Sequence, residues 1–175
     1  IKEEVLFFGR LLGKIYSSSA ESHVDGDIAH EIDEASYHAN QSAGRRYTRT
    51  AGFRLNQQQK KKIELHAMRK AKDYLLQEGY TGIKNTSSQK PYDYQCEKEG
   101  RSIFVEVKGT QSLGERVILT RNEVAHHKDV YPNNMLIVVS QIELGGNNND
   151  SARGGRIESH HPWEVMDEQL EAISI

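Results

Sequence analysis

Cysteine occurs once in the 175 residues, at Cys96, so no disulfide can form within the chain. A lone thiol in an expected core strand reads as a small buried hydrophobe, and a reducing, intracellular and cytoplasmic setting is expected. No run of eighteen apolar residues exists, which excludes a helical membrane span. Initiator methionine and a secretory signal pattern are both missing from the opening Ile1-Lys2-Glu3-Glu4, and a piece of a longer protein is expected. There is no Walker-type phosphate loop, no Gly-x-Ser-x-Gly elbow and no His-Glu-x-x-His zinc pattern. The eight histidines, including the adjacent pairs His126-His127 and His160-His161, read as surface residues. No internal repeat or low-complexity segment interrupts the chain.

Apolar residues make up only 36% and charged residues 27%, which fits one small α/β domain with much exposed surface. The net charge of −2 conceals an uneven distribution. Lys and Arg are absent from Ser17 to Ala43, where Glu21, Asp25, Asp27, Glu31, Asp33 and Glu34 fall. From Gly44 to Lys72 ten basic residues face a single acid, Glu64. Such a segment can attract phosphate, or it can be neutralised by the acidic stretch before it.

Val5, Phe8, Leu12 and Ile15 recur at helical spacing, so an amphipathic helix is expected over 2–18, with a weaker one over 25–41. In another reading the 2–18 helix docks a second copy of the chain. Gly44 to Gly52 reads as a basic connector. Ile63, Ala67, Ala71, Leu75 and Leu76 mark a long helix that stops at Gly79. Short strands follow: 82–85, then 91–97 and 102–108 as a hairpin. Thr120 and Glu123 form a capping box that opens a helix over 121–128. Met135 to Val139 reads as a buried strand, 145–155 as a mobile loop, 156–159 as a strand and 163–172 as a terminal helix.

Chemistry concentrates in the hairpin. Glu99-Gly100 suits a two-residue turn that pairs Lys98 with Arg101. Counted outward, Asp93 falls opposite Glu106, with β-carbons roughly 4.5–5.5 Å apart, a span that one oxygen-loving cation can bridge. Strand alternation puts Lys108 on the Glu106 face, and Cys96, Ile103, Val105 and Val107 on the core face.

The α-β-β-β-α-β order, with Pro91-Tyr92-Asp93 and Glu106-Val107-Lys108 on its second and third strands, resembles the PD-(D/E)XK nuclease core, although Pro-x-Asp departs from the eponymous Pro-Asp. Ile63-Glu64-Leu65-His66-Ala67, Tyr92-Asp93-Tyr94, Val105 to Thr110 and Leu119-Thr120-Arg121-Asn122-Glu123 look like the domain named for the C-terminus of the plant protein NO VEIN, a relative of the Mrr-like nucleases. The likeness covers about 55–142. It implies a restriction-endonuclease-like fold with a mixed sheet flanked by helices, preceded by an N-terminal helical extension (1–54, then 55–175).

The same resemblance implies an Mg²⁺- or Mn²⁺-dependent endonuclease for DNA, serving as the cleavage module of a bacterial restriction or phage-defence protein. Its partners would be DNA and other domains or subunits of that protein. Asp93, Glu106 and the Val107 carbonyl would be metal ligands, and Lys108 would meet the attacking water or the scissile phosphate. Glu64 would reach the metal site, although it also suits a surface pair with Lys60 or Lys61. Gln111 matches a polar position that completes such sites, or is an exposed loop amide. The rival expectation is a catalytically silent module of the same fold that binds nucleic acid or a partner protein.

Overall fold

The computed structural model describes residues 6–10, 57–146 and 151–173. The long helix is Gln57–Gln77 (α1), and it buries Ile63, Ala67, Ala71 and Leu75 at four-residue spacing. Leu76, expected in the same stripe, is exposed. At its end Tyr80 N–H donates to Leu75 O at 2.9 Å and Gly79 N–H to Leu76 O at 3.1 Å. This double closure needs the positive φ of Gly79 (80°).

Five strands and α1 build the first layer pair. Thr81–Asn85 (β2), Tyr94–Lys98 (β3), Arg101–Gly109 (β4), Asn134–Gly145 (β6) and Ser151–His160 (β7) form a five-stranded sheet in the order β2-β3-β4-β6-β7. Only the β4–β6 pairing is parallel. Arg116–Thr120 (β5) and the helix Arg121–Asp129 (α2) make the connection between them. The turn pairs Lys98 with Arg101 as expected, and Glu99 and Gly100 both take positive φ (52° and 74°), as a type I′ turn demands.

One face of this sheet packs on α1 through Cys96, Ile103, Val105, Val107, Met135, Ile137 and Val139. The opposite face carries Leu136 and Val138, which pack with Val117, Leu119, Val124, Trp163 and Val165. Both faces are therefore covered, and α1 lies close against β4: a β-carbon at Gly109 would stand 2.6 Å from the Ala67 β-carbon.

Several expectations are corrected. Leu6–Arg10 (β1), inside the stretch expected to be helical over 2–18, is a strand between β5 and Leu170–Ile173 (β8), both antiparallel to it. Partners distant in sequence supply its backbone hydrogen bonds and override the helical spacing. The 25–41 helix, the 44–52 connector and the rest of 2–18 lie outside the described residues. β5 itself was not anticipated. The expected 145–155 loop is largely hairpin, since β6 and β7 pair from Leu136–His160 to Gly145–Ser151. The terminal helix over 163–172 is instead a single 3-10 turn, Asp167–Gln169, leading into β8.

Candidate functional site

β3 begins at Tyr94, three residues later than expected, and this sets the site. The ladder closes at Tyr94–Val105, so Pro91, Tyr92 and Asp93 leave the strand. Asp93 N–H still donates to Val105 O at 2.9 Å, but on the next rung the Asp93 side chain replaces the backbone: Val107 N–H donates to Asp93 Oδ2 at 2.8 Å. N–H and C=O of one strand residue point the same way. The Val107 carbonyl thus faces the gap beyond the end of β3, beside Asp93.

Glu106 and Lys108 occupy the other face of β4, level with Leu136 and Val138. Lys108 Nζ lies 2.7 Å from Glu106 Oε1 and 3.0 Å from Glu123 Oε2. Glu106 Oε2 is 3.7 Å from His127 Nε2. Glu106 is 2% exposed and His127 0%, so these charges stand out of water.

One ammonium among three carboxyls cannot keep all of them ionised in such a place. Burial pushes Glu106 up to about 8, with the Glu123 charge adding to it and Lys108 opposing. Burial, then Glu106, also raises Asp93 well above the usual carboxylate range, against the pull of Lys108 and the Val107 N–H. Burial alone would lower Lys108, yet Glu106, Glu123 and Asp93 hold it above the ordinary lysine range. Burial pushes His127 down to about 4, leaving a neutral ring.

Around the carboxyl end of β4 a cleft is lined by Lys60 and Glu64 of α1, by Lys108 and Thr110, and by Arg116 of β5. Glu64 is thereby brought to the same cleft as Lys108. One of its oxygens pairs with Lys61 at 2.9 Å, the surface contact weighed from sequence, while Oε2 is buried with no hydrogen bond. Gln111 follows β4 in a loop, half-buried, and is not among the residues lining that cleft.

Two members of the cluster were not singled out from sequence. Glu123 caps α2 as expected, with Thr120 N–H donating to Oε2 at 2.8 Å, and it also holds Lys108. His127 was read as a surface residue and is fully buried, with its ring 5.0 Å from Trp163. Its helix is tied down by Asn134, whose Nδ2 donates to His127 O at 2.9 Å and Trp163 O at 2.7 Å. The surface reading also fails for His66, buried against Gly154 O, and for His126, stacked on Tyr92 with ring centroids 4.6 Å apart. The His-Trp-Asn packing leaves no local signal, because its members are far apart in the chain.

Among the described residues no three His, Cys, Asp or Glu side chains are grouped to hold a metal ion. The available donors are two carboxyls, Asp93 and Glu106, and the Val107 carbonyl. Two crowded carboxyls with raised proton affinity suit a small hard cation, whose charge would relieve them.

Fold and site together define a mixed α/β domain with a buried carboxyl–lysine cluster at the open end of a hairpin. The family described as Protein NO VEIN, C-terminal, matches residues 63–152, just over half of the chain, and the protein belongs to that family. No curated protein and no solved structure matches it. Among the described residues no helix is long and apolar enough to cross a membrane.

Proposed function

We propose that this chain is a metal-dependent endonuclease domain of the PD-(D/E)XK kind, which hydrolyses DNA phosphodiester bonds as the cleavage module of a restriction or phage-defence protein. The supporting observation is the convergence of Asp93, the Val107 carbonyl, Glu106 and Lys108 where the β3–β4 ladder opens. Asp93, Glu106 and the Val107 carbonyl would hold Mg²⁺ or Mn²⁺. Such an ion would supply an activated water and neutralise charge that gathers on the phosphorus. Lys108 adds a fixed positive charge at the cleft, where it orients the scissile phosphate and stabilises the developing negative charge. Water attacks directly, without a covalent enzyme intermediate. Lys60 and Arg116 give the cleft a cationic lining that suits a phosphate backbone, and Glu64 completes the acidic side.

The test is plasmid cleavage by the purified chain with Mg²⁺ or Mn²⁺. Activity is expected to fall by about a hundredfold or more in Asp93→Ala, Glu106→Ala and Lys108→Ala. Cleavage unchanged in all three would falsify the proposal.

One observation favours a second reading, a catalytically silent module of the same fold that binds nucleic acid or a partner protein. Lys108 lies directly on Glu106 and Glu123, so the lysine itself can serve as the counter-charge of the cluster. That reading predicts salt-sensitive DNA binding without Mn²⁺ binding.

A further inference from the structure

We infer that Glu123 is a positioning residue for Lys108, a role beyond its cap; the inference rests on the proposed nuclease reading for its catalytic consequence. Glu123 sits in the first turn of α2, and its backbone N–H donates to Thr120 Oγ1 at 3.2 Å while Thr120 N–H donates to Oε2 at 2.8 Å. That reciprocal pair is a complete capping box, and Gln makes it as well as Glu does. The helix dipole favours a carboxylate here only modestly, and the hydrogen bonds of the cap do not require one. Lys108 does: its Nζ donates to the same Oε2 at 3.0 Å, across 15 residues of sequence.

The arrangement divides two tasks between two carboxylates. Lysine is a point charge on a stem with four rotatable bonds, and it stays at one place only where a fixed acceptor holds it. Glu106 touches the same ammonium at 2.7 Å, but in the proposed reading its carboxylate is also a metal ligand. Glu123 is not among the proposed metal ligands. Its χ angles are already fixed by the Thr120 N–H, so the start of α2 offers Lys108 a preset anchor 84% withdrawn from solvent. The side chains of Glu123 and Lys108 are 16% and 11% exposed, so water competes weakly for the pair.

The full-length chain carrying Glu123→Gln tests this, beside Thr120→Ala, which breaks the cap from its other side. With Mn²⁺ and an oligonucleotide duplex, Glu123→Gln is expected to lower kcat about tenfold or more, with KM within about twofold and Tm nearly unchanged. Thr120→Ala is expected to lower Tm by a few degrees and leave kcat within about threefold. An unchanged kcat in Glu123→Gln overturns the inference, and so does an equal loss of kcat in the two variants, which a cap alone would explain. A wild-type chain that never cleaves defeats the nuclease reading instead. The positioning contact is then decided in metal-free protein by a double-mutant cycle of Lys108→Met and Glu123→Gln in thermal unfolding. Non-additive Tm shifts support the contact, and additive shifts overturn it.

Discussion

At the scale of single residues, the sequence made the donors legible and hid their environment. Glu106 and Lys108 could be placed by counting from the Glu99-Gly100 turn, because a hairpin register is a local property, whereas Asp93, expected in the strand opposite Glu106, lies past the last pair, Tyr94–Val105, and its side chain takes the Val107 N–H instead. Glu123 and His127 could not, because what distinguishes them is depth: a charged cap that reaches a lysine fifteen residues back, and an imidazole sealed under Trp163. Burial has a measurable consequence at Glu106. Its raised proton affinity means that between its ordinary titration range near 4.5 and about 8 the folded protein keeps a proton that the unfolded chain has lost. Stability contributed by this group is complete below that window and is lost as pH rises through it. His127, lowered to about 4, works oppositely, its contribution lost as pH falls from 6.5. The slopes offset between about 4.5 and 6.5, so the metal-free protein is expected to lose stability chiefly from pH 6.5 to 8, by up to about 1.4 kcal/mol per pH unit. Urea unfolding across this range checks it. In Glu106→Gln the decline should shrink, Asp93 with its own raised proton affinity supplying what remains, and a variant as pH-sensitive as the wild type would refute the assignment.

Secondary-structure elements were legible wherever their signals are local. The helix stop at Gly79, the type I′ turn and the Thr120–Glu123 box each depend on residues within one or two turns, and each forms as expected. Elements whose identity depends on distant partners were misjudged. Val117, Ile118 and Leu119 form a strand only with Leu6–Arg10 alongside, and the 163–172 stretch becomes a 3-10 turn and a strand because β1 offers an edge. The contact between α1 and β4 belongs to this scale. Gly109 was an unremarkable strand end in sequence, yet a methyl there would meet the Ala67 β-carbon at 2.6 Å, with Ile63 O at 3.2 Å. Helix backbone cannot yield as a flexible side chain would. Gly109→Ala is expected to cost about 1–3 kcal/mol in denaturant unfolding, since α1 must ride away from the sheet. A loss below about 0.5 kcal/mol would mean that the helix does not press on β4 as described.

At the scale of the whole molecule, Glu106 and Lys108 project from a sheet face whose neighbours are Leu136, Val138, Val117, Leu119, Val124 and Trp163. A fold built only for stability would put apolar side chains there, because a buried ion cluster rarely recovers its desolvation cost. The cluster is thus a place where a ligand can return stability to the fold. A cation held by Asp93, Glu106 and the Val107 carbonyl would favour the folded chain by about 2.7 kcal/mol at a hundred times its Kd. For a domain of this size that amounts to a Tm rise of roughly 5–10 °C with Mn²⁺. Asp93→Ala removes a donor and should abolish the rise. Lys108→Met removes the ammonium that now shields Glu106 and Glu123, so this variant should melt lower without metal and gain more from Mn²⁺ than the wild type. Thermal melts with and without Mn²⁺, run against Ca²⁺ to control for ionic strength, measure all three. An equal rise in wild type and Asp93→Ala would place the ion elsewhere on the protein, and a smaller gain in Lys108→Met would show that the lysine supports the cation site rather than competing for its carboxylates.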